Sequence, residues 1–176
     1  ARVIAVEYLA EDIAADVALL RIQTPDDFIM PPALKLSTTP ARKGDLVGLI
    51  GYPGFDYRNN AADQSRYFND LYEVKRFSPG LVMQDVSDEA TLSHDCTSLG
   101  GASGGALLSL KTGEVVGLHF AGVEGERNSA VTAPTLAALL RGERPYTATT
   151  GGAEEGLSDG FHDKGYFKGR AGFDAK

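Results

Sequence analysis

The stretch "SLGGASGGALLSLKTGEVVGLHFAG", residues 98–122, joins a glycine-rich loop to two runs of β-type residues. In the loop, Ser103 has two glycines and an alanine before it and two more glycines after it. Glycine is the least restrained residue and weakens strands, so such a cluster usually marks a place where the backbone itself contacts something. The runs 106–110 and 114–120 are joined by three residues that end in Gly113, which predicts a β-hairpin directly after the loop.

Short β-type runs separated by turn residues continue on both sides of this hairpin. They are "RVIAVEYL" (2–9), "DVALLRI" (16–22), "ALKLS" (33–37), "DLVGLIGYP" (45–53), "LVMQDV" (81–86), "ATLSHD" (90–95) and "SAVT" (129–132). Several short strands at this spacing predict an all-β protein, built as a barrel or a sandwich.

Helical patterns occupy two short segments. The segment "DQSRYFNDLYEV" (63–74) places four apolar side chains on one helical face: Tyr67, Phe68, Leu71 and Tyr72. A closing helix is predicted at 133–142, with Thr132 as its N-cap. From residue 143 onward the chain is polar, rich in glycine and without a period, which is typical of linkers. We therefore expect one domain at 1–142 and a tail at 143–176.

Composition narrows the function classes. The chain has 176 residues, 43% of them hydrophobic, and a formal net charge of −7. The acidic balance argues against a nucleic-acid surface, and no apolar run approaches the roughly 20 residues that span a membrane. The single cysteine, Cys96, cannot form an internal disulfide, so we expect a cytoplasmic protein rather than a secreted one. One cysteine and three scattered histidines form no metal-ligand set, and no cofactor motif is present.

The glycines around Ser103 suit nucleophilic catalysis. A serine hydroxyl becomes a useful nucleophile when a base removes its proton and when hydrogen-bond donors face the oxyanion that its attack creates. Without a side chain at Gly101, the backbone can turn the N–H groups of Gly101 and Ser103 toward one carbonyl oxygen. The alternative on spacing alone is an ordinary Gly/Ser turn.

Three segments together resemble the chymotrypsin-like serine peptidases, especially the bacterial branch related to glutamyl endopeptidases. They are the stretch 98–122, "ADVALLRI" (15–22) and "DLVGLIGYP" (45–53), and the resemblance covers residues 1 to about 141. It implies a chymotrypsin-like double β-barrel, of which this chain holds the end of the first barrel and the complete second, followed by the helix and the polar tail. It also implies a serine endopeptidase that acts on a protein or peptide through an acyl-enzyme.

The resemblance also implies roles for individual residues. Ser103 is the nucleophile, Asp16 orients the catalytic histidine, and the N–H groups of Gly101 and Ser103 form the oxyanion hole. In such peptidases the base lies several tens of residues before the aspartate, but no histidine precedes Asp16 here. We therefore expect the base on a part of the protein, or on another chain, that this N-terminally incomplete sequence does not include. The alternative is an inactive peptidase-fold module that binds a protein or peptide.

A substrate pocket follows from the same resemblance. His119 and Ser98 correspond to groups that bind an acidic side chain before the cut bond, and Gly122 to the glycine against which the substrate backbone lies. For His119 the alternative is a pocket-wall histidine whose ring is satisfied by protein or water. The other histidines are expected to be a structural residue, His94, and a solvated one, His162.

One further departure concerns the serine loop. Ala102 stands where trypsin-like zymogens carry an acidic residue that pairs with a new N-terminus. Alanine cannot form that ion pair, so other contacts are expected to hold the loop.

Overall fold

The computed structural model describes residues 1–10, 15–84, 90–123 and 127–143. Its strands are β1 (Arg2–Leu9), β2 (Ala18–Gln23), β3 (Leu46–Gly51), β4 (Arg76–Leu81), β5 (Thr91–His94), β6 (Ala106–Ser109), β7 (Val115–Val123) and β8 (Arg127–Thr132), and its helices are α1 (Ala61–Phe68) and α2 (Ala133–Leu140). The expected all-β class is confirmed. The predicted tail at 143–176, apart from Glu143, lies outside the described residues, so the domain boundary stays a prediction.

Six strands form one antiparallel sheet in the order β4-β3-β6-β7-β8-β5. Its two edge strands approach each other, because an antiparallel bridge joins Val82 to His94 and the Met83 N–H donates to the Ser93 carbonyl at 2.9 Å. The sheet therefore curls into a barrel. Alternating side chains of its strands fill the interior, including Val47, Leu49, Leu92, Leu107 and Ala130, each at most 2% exposed.

The hairpin after the serine loop forms as predicted. β6 pairs with β7, with Ala106 opposite Leu118, and Gly113 adopts a φ of +73° in the turn between them. The predicted helix after β8 is also present, and Thr132 is its N-cap residue. The hydroxyl of Thr132 bonds the hydroxyl of Thr135 at 2.9 Å, and no side-chain bond caps the backbone of the helix within the described residues.

Two sequence predictions about local structure were wrong. Of the strand expected at 81–86, residues 85 and 86 lie outside the described residues and only Leu81 of the rest is in a strand, because β4 lies earlier and contains Pro79 and Gly80. An edge strand tolerates a proline because one row of its N–H groups has no partner to lose. The run 33–37 forms no strand and contributes only a bridge between Leu36 and Val115.

Helix α1 is shorter than its sequence pattern suggests. Asn69 ends it in a left-handed conformation at φ +52°, so Leu71 falls outside the helix and is exposed. The buried residues of α1 are Gln64 and Phe68, while Tyr67 is 58% exposed. The inward face of the excursion therefore carries one polar side chain that the apolar pattern did not reveal.

β1 and β2 form a separate two-stranded sheet with bulges at two places in their register. This is the segment in which the sequence places the end of a first barrel. No helix among the described residues is long and apolar enough to cross a membrane.

Candidate active site

The loop around Ser103 lies between β5 and β6 and depends on two glycines with positive φ. Gly101 has a φ of +90° and Gly104 a φ of +85°, a region that side chains disfavour. At Gly101 a Cβ atom would also lie 3.0 Å from the Tyr52 carbonyl oxygen and 3.1 Å from the Gly54 nitrogen. These are backbone atoms that cannot move aside easily, so Gly101 is required for the shape of the loop.

Hydrogen bonds join this loop to strand β7. The Gly104 N–H donates to the His119 carbonyl at 2.8 Å, and the His119 N–H donates to the Gly105 carbonyl at 2.9 Å. The exposed Ser103 hydroxyl donates to the Phe120 carbonyl at 3.0 Å. The serine therefore lies beside the β7 segment that the sequence assigns to substrate binding.

The backbone donors of the predicted oxyanion hole are available. Among the described residues, no hydrogen bond uses the N–H of Gly101 or of Ser103. Both residues are exposed, so these donors can bind water or a ligand. This leaves both donors free for an oxyanion, as the resemblance implies.

A chain of hydrogen bonds connects the predicted pocket residues. His119 Nε2 lies 3.4 Å from Ser98 Oγ, which donates to Asn128 Oδ1 at 2.9 Å. Asn128 Nδ2 donates to the Cys96 carbonyl at 2.7 Å. On the other side of the ring, His119 Nδ1 lies 3.2 Å from His94 Nε2. The structure thus brings Ser98 and His119 together, with two further residues in contact.

Both imidazoles in the described part of the chain are buried and uncharged near neutral pH. His94 is fully buried and His119 is 2% exposed. Burial lowers the pKa of His94 to about 4, with the neighbouring His119 adding to the effect, and burial likewise lowers the pKa of His119 to about 4. Burial also raises the pKa of the Cys96 thiol to about 11, so this cysteine stays a neutral core group. The expected structural role of His94 agrees with its position.

Gly122 borders the same pocket. A Cβ atom at this position would lie 2.2 Å from Asn128 Oδ1 and 3.8 Å from Ser98 Oγ. The absence of a side chain at Gly122 therefore gives Asn128 room to reach Ser98. Register explains the meeting, because His94 and Gly122 are both opposite Asn128 on neighbouring strands.

Sequence reasoning missed Asn128. Asn128 belongs to no recognisable sequence motif. Its position becomes informative only when β8 is paired with both β5 and β7. A signal existed in principle, because a hairpin between 115–123 and 127–132 can be counted back from its short loop. That register would have placed Asn128 opposite Gly122.

Asp16 lies apart from these residues in the contacts of the described chain. It is exposed, two residues before β2, and makes no hydrogen bond or ion pair within the described residues. No imidazole among those residues bonds Ser103 either. The structure therefore joins Ser103, Gly101, Ser98, His119 and Gly122 in one site but does not complete a catalytic triad. No group of three or more possible metal ligands occurs in the same described part of the chain.

Comparison with known proteins agrees with this geometry. A family model described as a trypsin-like peptidase domain matches residues 1–118, more than half of the chain. Among curated proteins no sequence matches.

Solved structures share the fold at low sequence identity. The inactive form of the Rv3671c protein of M. tuberculosis H37Rv, a serine-to-alanine mutant, has a TM-score of 0.52 and 21% identity over 84% of this chain and 67% of that one. The active form of the Rv3671c protease has a TM-score of 0.53 and 22% identity, over 83% of this chain and 61% of that one. A Glu endopeptidase in complex with MPD has a TM-score of 0.45 and 20% identity, over 62% and 46% of the two chains.

This chain spans about two thirds, or less, of the length of the Rv3671c structures. The predicted chymotrypsin-like fold is confirmed by the two Rv3671c structures, and the closed six-stranded sheet is its second barrel. The family match and the serine loop agree, and the chain belongs to the trypsin-like serine peptidases.

Proposed function

We propose that this chain forms most of a serine endopeptidase in which Ser103 is the nucleophile and which prefers an acidic residue before the cut bond. The observation that carries the catalytic part is the serine loop. Around its positive-φ glycine, Gly101, two backbone N–H groups that have no partner among the described residues lie beside an exposed hydroxyl. A loop that only turned the chain would have no physical need for that combination.

The proposed reaction has two stages. Ser103 Oγ attacks the substrate carbonyl carbon while a base takes the hydroxyl proton, and the N–H groups of Gly101 and Ser103 stabilise the oxyanion. The base then gives the proton to the leaving amine, and an acyl-enzyme remains on Ser103. Water adds to the acyl carbon with help from the same base, which releases the acid and restores the hydroxyl.

The base in this proposal comes from strands that cover the β1–β2 sheet. Six apolar side chains of that sheet are between 45% and 58% exposed: Val3, Ile4, Val6, Leu9, Leu20 and Ile22. In the register of the two strands Val3 is opposite Ile22 and Val6 is opposite Leu20, so these side chains share one face of the sheet, and that face is apolar and exposed. A two-stranded sheet is marginal by itself in water. Asp16, two residues before β2, would then meet the imidazole that those strands bring.

The acidic preference rests on the pocket chain. A substrate carboxylate entering between Ser98 and His119 would accept the His119 Nε2–H, and it would accept the Ser98 hydroxyl once that hydroxyl turns away from Asn128 Oδ1. A buried carboxylate needs such donors, and bonds to an ionised acceptor are the stronger kind. The negative charge would also raise the pKa of His119 above its unoccupied value of about 4. An acidic side chain in the pocket would therefore make protonation of His119 less unfavourable.

A second candidate is a module of the same fold that binds a peptide without cutting it. The observation in its favour is the bond from Ser103 Oγ to the Phe120 carbonyl, since a hydroxyl held by a carbonyl is not being deprotonated. Such a module would use the same pocket to bind a peptide and would need no catalytic base.

A fluorophosphonate probe on the full-length protein distinguishes the two candidates. The peptidase proposal expects covalent labelling at Ser103, loss of labelling in Ser103→Ala and full labelling in Ser109→Ala, a serine on neighbouring β6. A folded full-length protein that takes no label would contradict it and support the binding module.

A further inference from the structure

The glycine before the oxyanion loop is held by a buried carboxylate that lies far from it in sequence. Asp56 is 7% exposed, and a Cβ atom at Gly100 would lie 2.9 Å from Asp56 Oδ2. The Asp56 carboxylate thus lies against the Gly100 backbone, which helps to lower the pKa of that carboxyl group, and the Gly100 carbonyl accepts from the Gly54 N–H at 2.7 Å. Gly100 therefore contacts the segment 54–56 twice, through its bonded carbonyl and through the neighbouring Asp56 carboxylate.

Asp56 is itself fixed by helix α1. The Gln64 side chain is 2% exposed and forms two bonds to the backbone of Asp56. The Asp56 N–H donates to Gln64 Oε1 at 2.9 Å, and Gln64 Nε2 donates to the Asp56 carbonyl at 2.8 Å. A primary amide that donates and accepts at the same residue defines its position on both sides. This explains the polar side chain on the inward face of α1.

The charge of Asp56 is balanced by Arg58. The Arg58 Nε donates to Asp56 Oδ1 at 2.7 Å, its Nη2 donates to Oδ2, and its backbone N–H donates to Oδ1 at 3.1 Å. A two-point arginine pair fixes the plane of a carboxylate as well as its charge. The Arg58 bonds, followed by that of Gly100, keep the pKa of Asp56 below its usual value against the effect of burial. The carboxylate therefore stays ionised beside the Gly100 backbone.

On this geometry, which rests on the function proposed above, we propose that Asp56 is a positioning residue for catalysis. Its carboxylate holds Gly100 so that the next N–H groups, of Gly101 and Ser103, keep the arrangement that an oxyanion requires. Ala102 has no group that could do this from within the loop. The support therefore comes from outside it, through segment 54–56 and Gln64.

The test compares Asp56→Ala and Asp56→Asn with the matched control Asp63→Asn, which removes an exposed carboxylate from α1. Amide hydrogen exchange in the protein reports on the clamp without any need for activity. We expect the Gly100 amide to exchange at least tenfold faster in Asp56→Ala, less so in Asp56→Asn, and unchanged in Asp63→Asn. The His119 amide, bonded to Gly105 in a strand, should stay unchanged in all three.

Kinetics of the full-length peptidase supply the second measurement. We expect kcat of Asp56→Ala to fall roughly ten- to hundredfold with KM within about twofold, because oxyanion donors act only in the transition state. Asp56→Asn retains a neutral acceptor, so its kcat should lie between those of the wild type and Asp56→Ala. If Asp56→Ala does not fold, the kcat and the Gly100 exchange rate of Asp56→Asn test the positioning role instead.

The outcomes separate this inference from the proposed function. A folded variant with unchanged Gly100 exchange, or with faster exchange but unchanged kcat, would overturn the positioning role. A loss in kcat that follows only the loss in melting temperature would also overturn it. If the wild-type full-length protein hydrolyses no peptide, the proposed function fails and the positioning role with it, while the exchange result still decides whether Asp56 clamps the loop.

Discussion

His94 Nε2 lies 3.2 Å from His119 Nδ1, and the bonds beyond His119 determine which of the two rings donates. The Cys96 carbonyl can only accept, so the atom of Asn128 that faces it must be Nδ2. Asn128 Oδ1 then accepts the single hydroxyl proton of Ser98. Ser98 Oγ is left to accept, and His119 Nε2 is the atom that carries the proton.

The same direction of hydrogen-bond donation continues through the His94 ring. With its proton on Nε2, His119 accepts at Nδ1, and His94 donates from Nε2. His94 Nδ1 is then a buried acceptor, and it has no partner within the described residues. A neutral pair thus presents a donor to the pocket, and protonation of the pair is opposed by burial.

Stability should fall in mild acid because of this pair. Both rings have a pKa of about 4 in the folded chain, below the ordinary histidine value of 6.5. The unfolded chain therefore binds more protons between these values, and the free energy of unfolding is complete above pH 6.5 and declines toward pH 4. Each ring contributes up to ~1.4 kcal/mol per pH unit. Urea unfolding between pH 4 and 7 measures the slope.

A variant and its control isolate the contribution. Asp95 is the charged neighbour that acts on His94, and it favours protonation. His94→Gln should flatten the slope by about one ring's share, while His162→Gln, in the tail that the sequence predicts to be solvated, should leave it unchanged. An equal slope in His94→Gln and wild type would contradict the buried neutral pair.

The serine loop and its hairpin were predictable because their signals are local. Glycines with positive φ, a strand, a short turn and a second strand follow one another within 98–122, and each depends on neighbours in sequence. The position of the Asp56 carboxylate was not predictable in this way. It meets Gly100 only because β3 carries the segment 52–56 against the loop, which is a contact between residues 44 positions apart (100 − 56).

The same distinction applies to the pocket. Ser98 and His119 could be named from motifs around the serine, but Asn128 depends on sheet register across three strands. Helix α1 illustrates the opposite case, in which apolar spacing suggested Leu71 and the left-handed cap at Asn69 ended the helix first. Local patterns predicted elements, and tertiary pairing decided which polar groups meet.

Replacing Gly101 by alanine should cost activity far more than replacing another positive-φ glycine. Gly101 and Gly113 both have positive φ, so alanine strains the backbone at either position. At Gly113 nothing lies within 4 Å of a new Cβ, whereas at Gly101 two backbone atoms lie at 3.0 and 3.1 Å. We expect kcat of the full-length protein to fall about 10²-fold in Gly101→Ala and little in Gly113→Ala. Equal losses in steady-state assays would argue against an oxyanion role.

Asp16→Asn tests the proposed meeting of Asp16 with an imidazole outside this chain. Because Asp16 is exposed here, the variant should leave the melting temperature of this chain unchanged. In the full-length protein kcat should fall about 10³- to 10⁴-fold, since an amide favours the wrong tautomer of the base. Asp26→Asn, another exposed aspartate, is the control. Full activity in Asp16→Asn would remove Asp16 from the proposed mechanism.

Asn128→Asp should weaken acidic specificity selectively. A carboxylate at this position would compete for the Ser98 hydroxyl and repel the negative side chain of the substrate. For matched peptides, we expect kcat/KM to fall at least about tenfold with glutamate before the cut bond, a loss of ~1.4 kcal/mol, and to change little with alanine there. Asn69→Asp, an exposed site at the end of α1, should alter neither value. If both peptides lose equally, Asn128 supports the fold of the pocket and does not select its substrate.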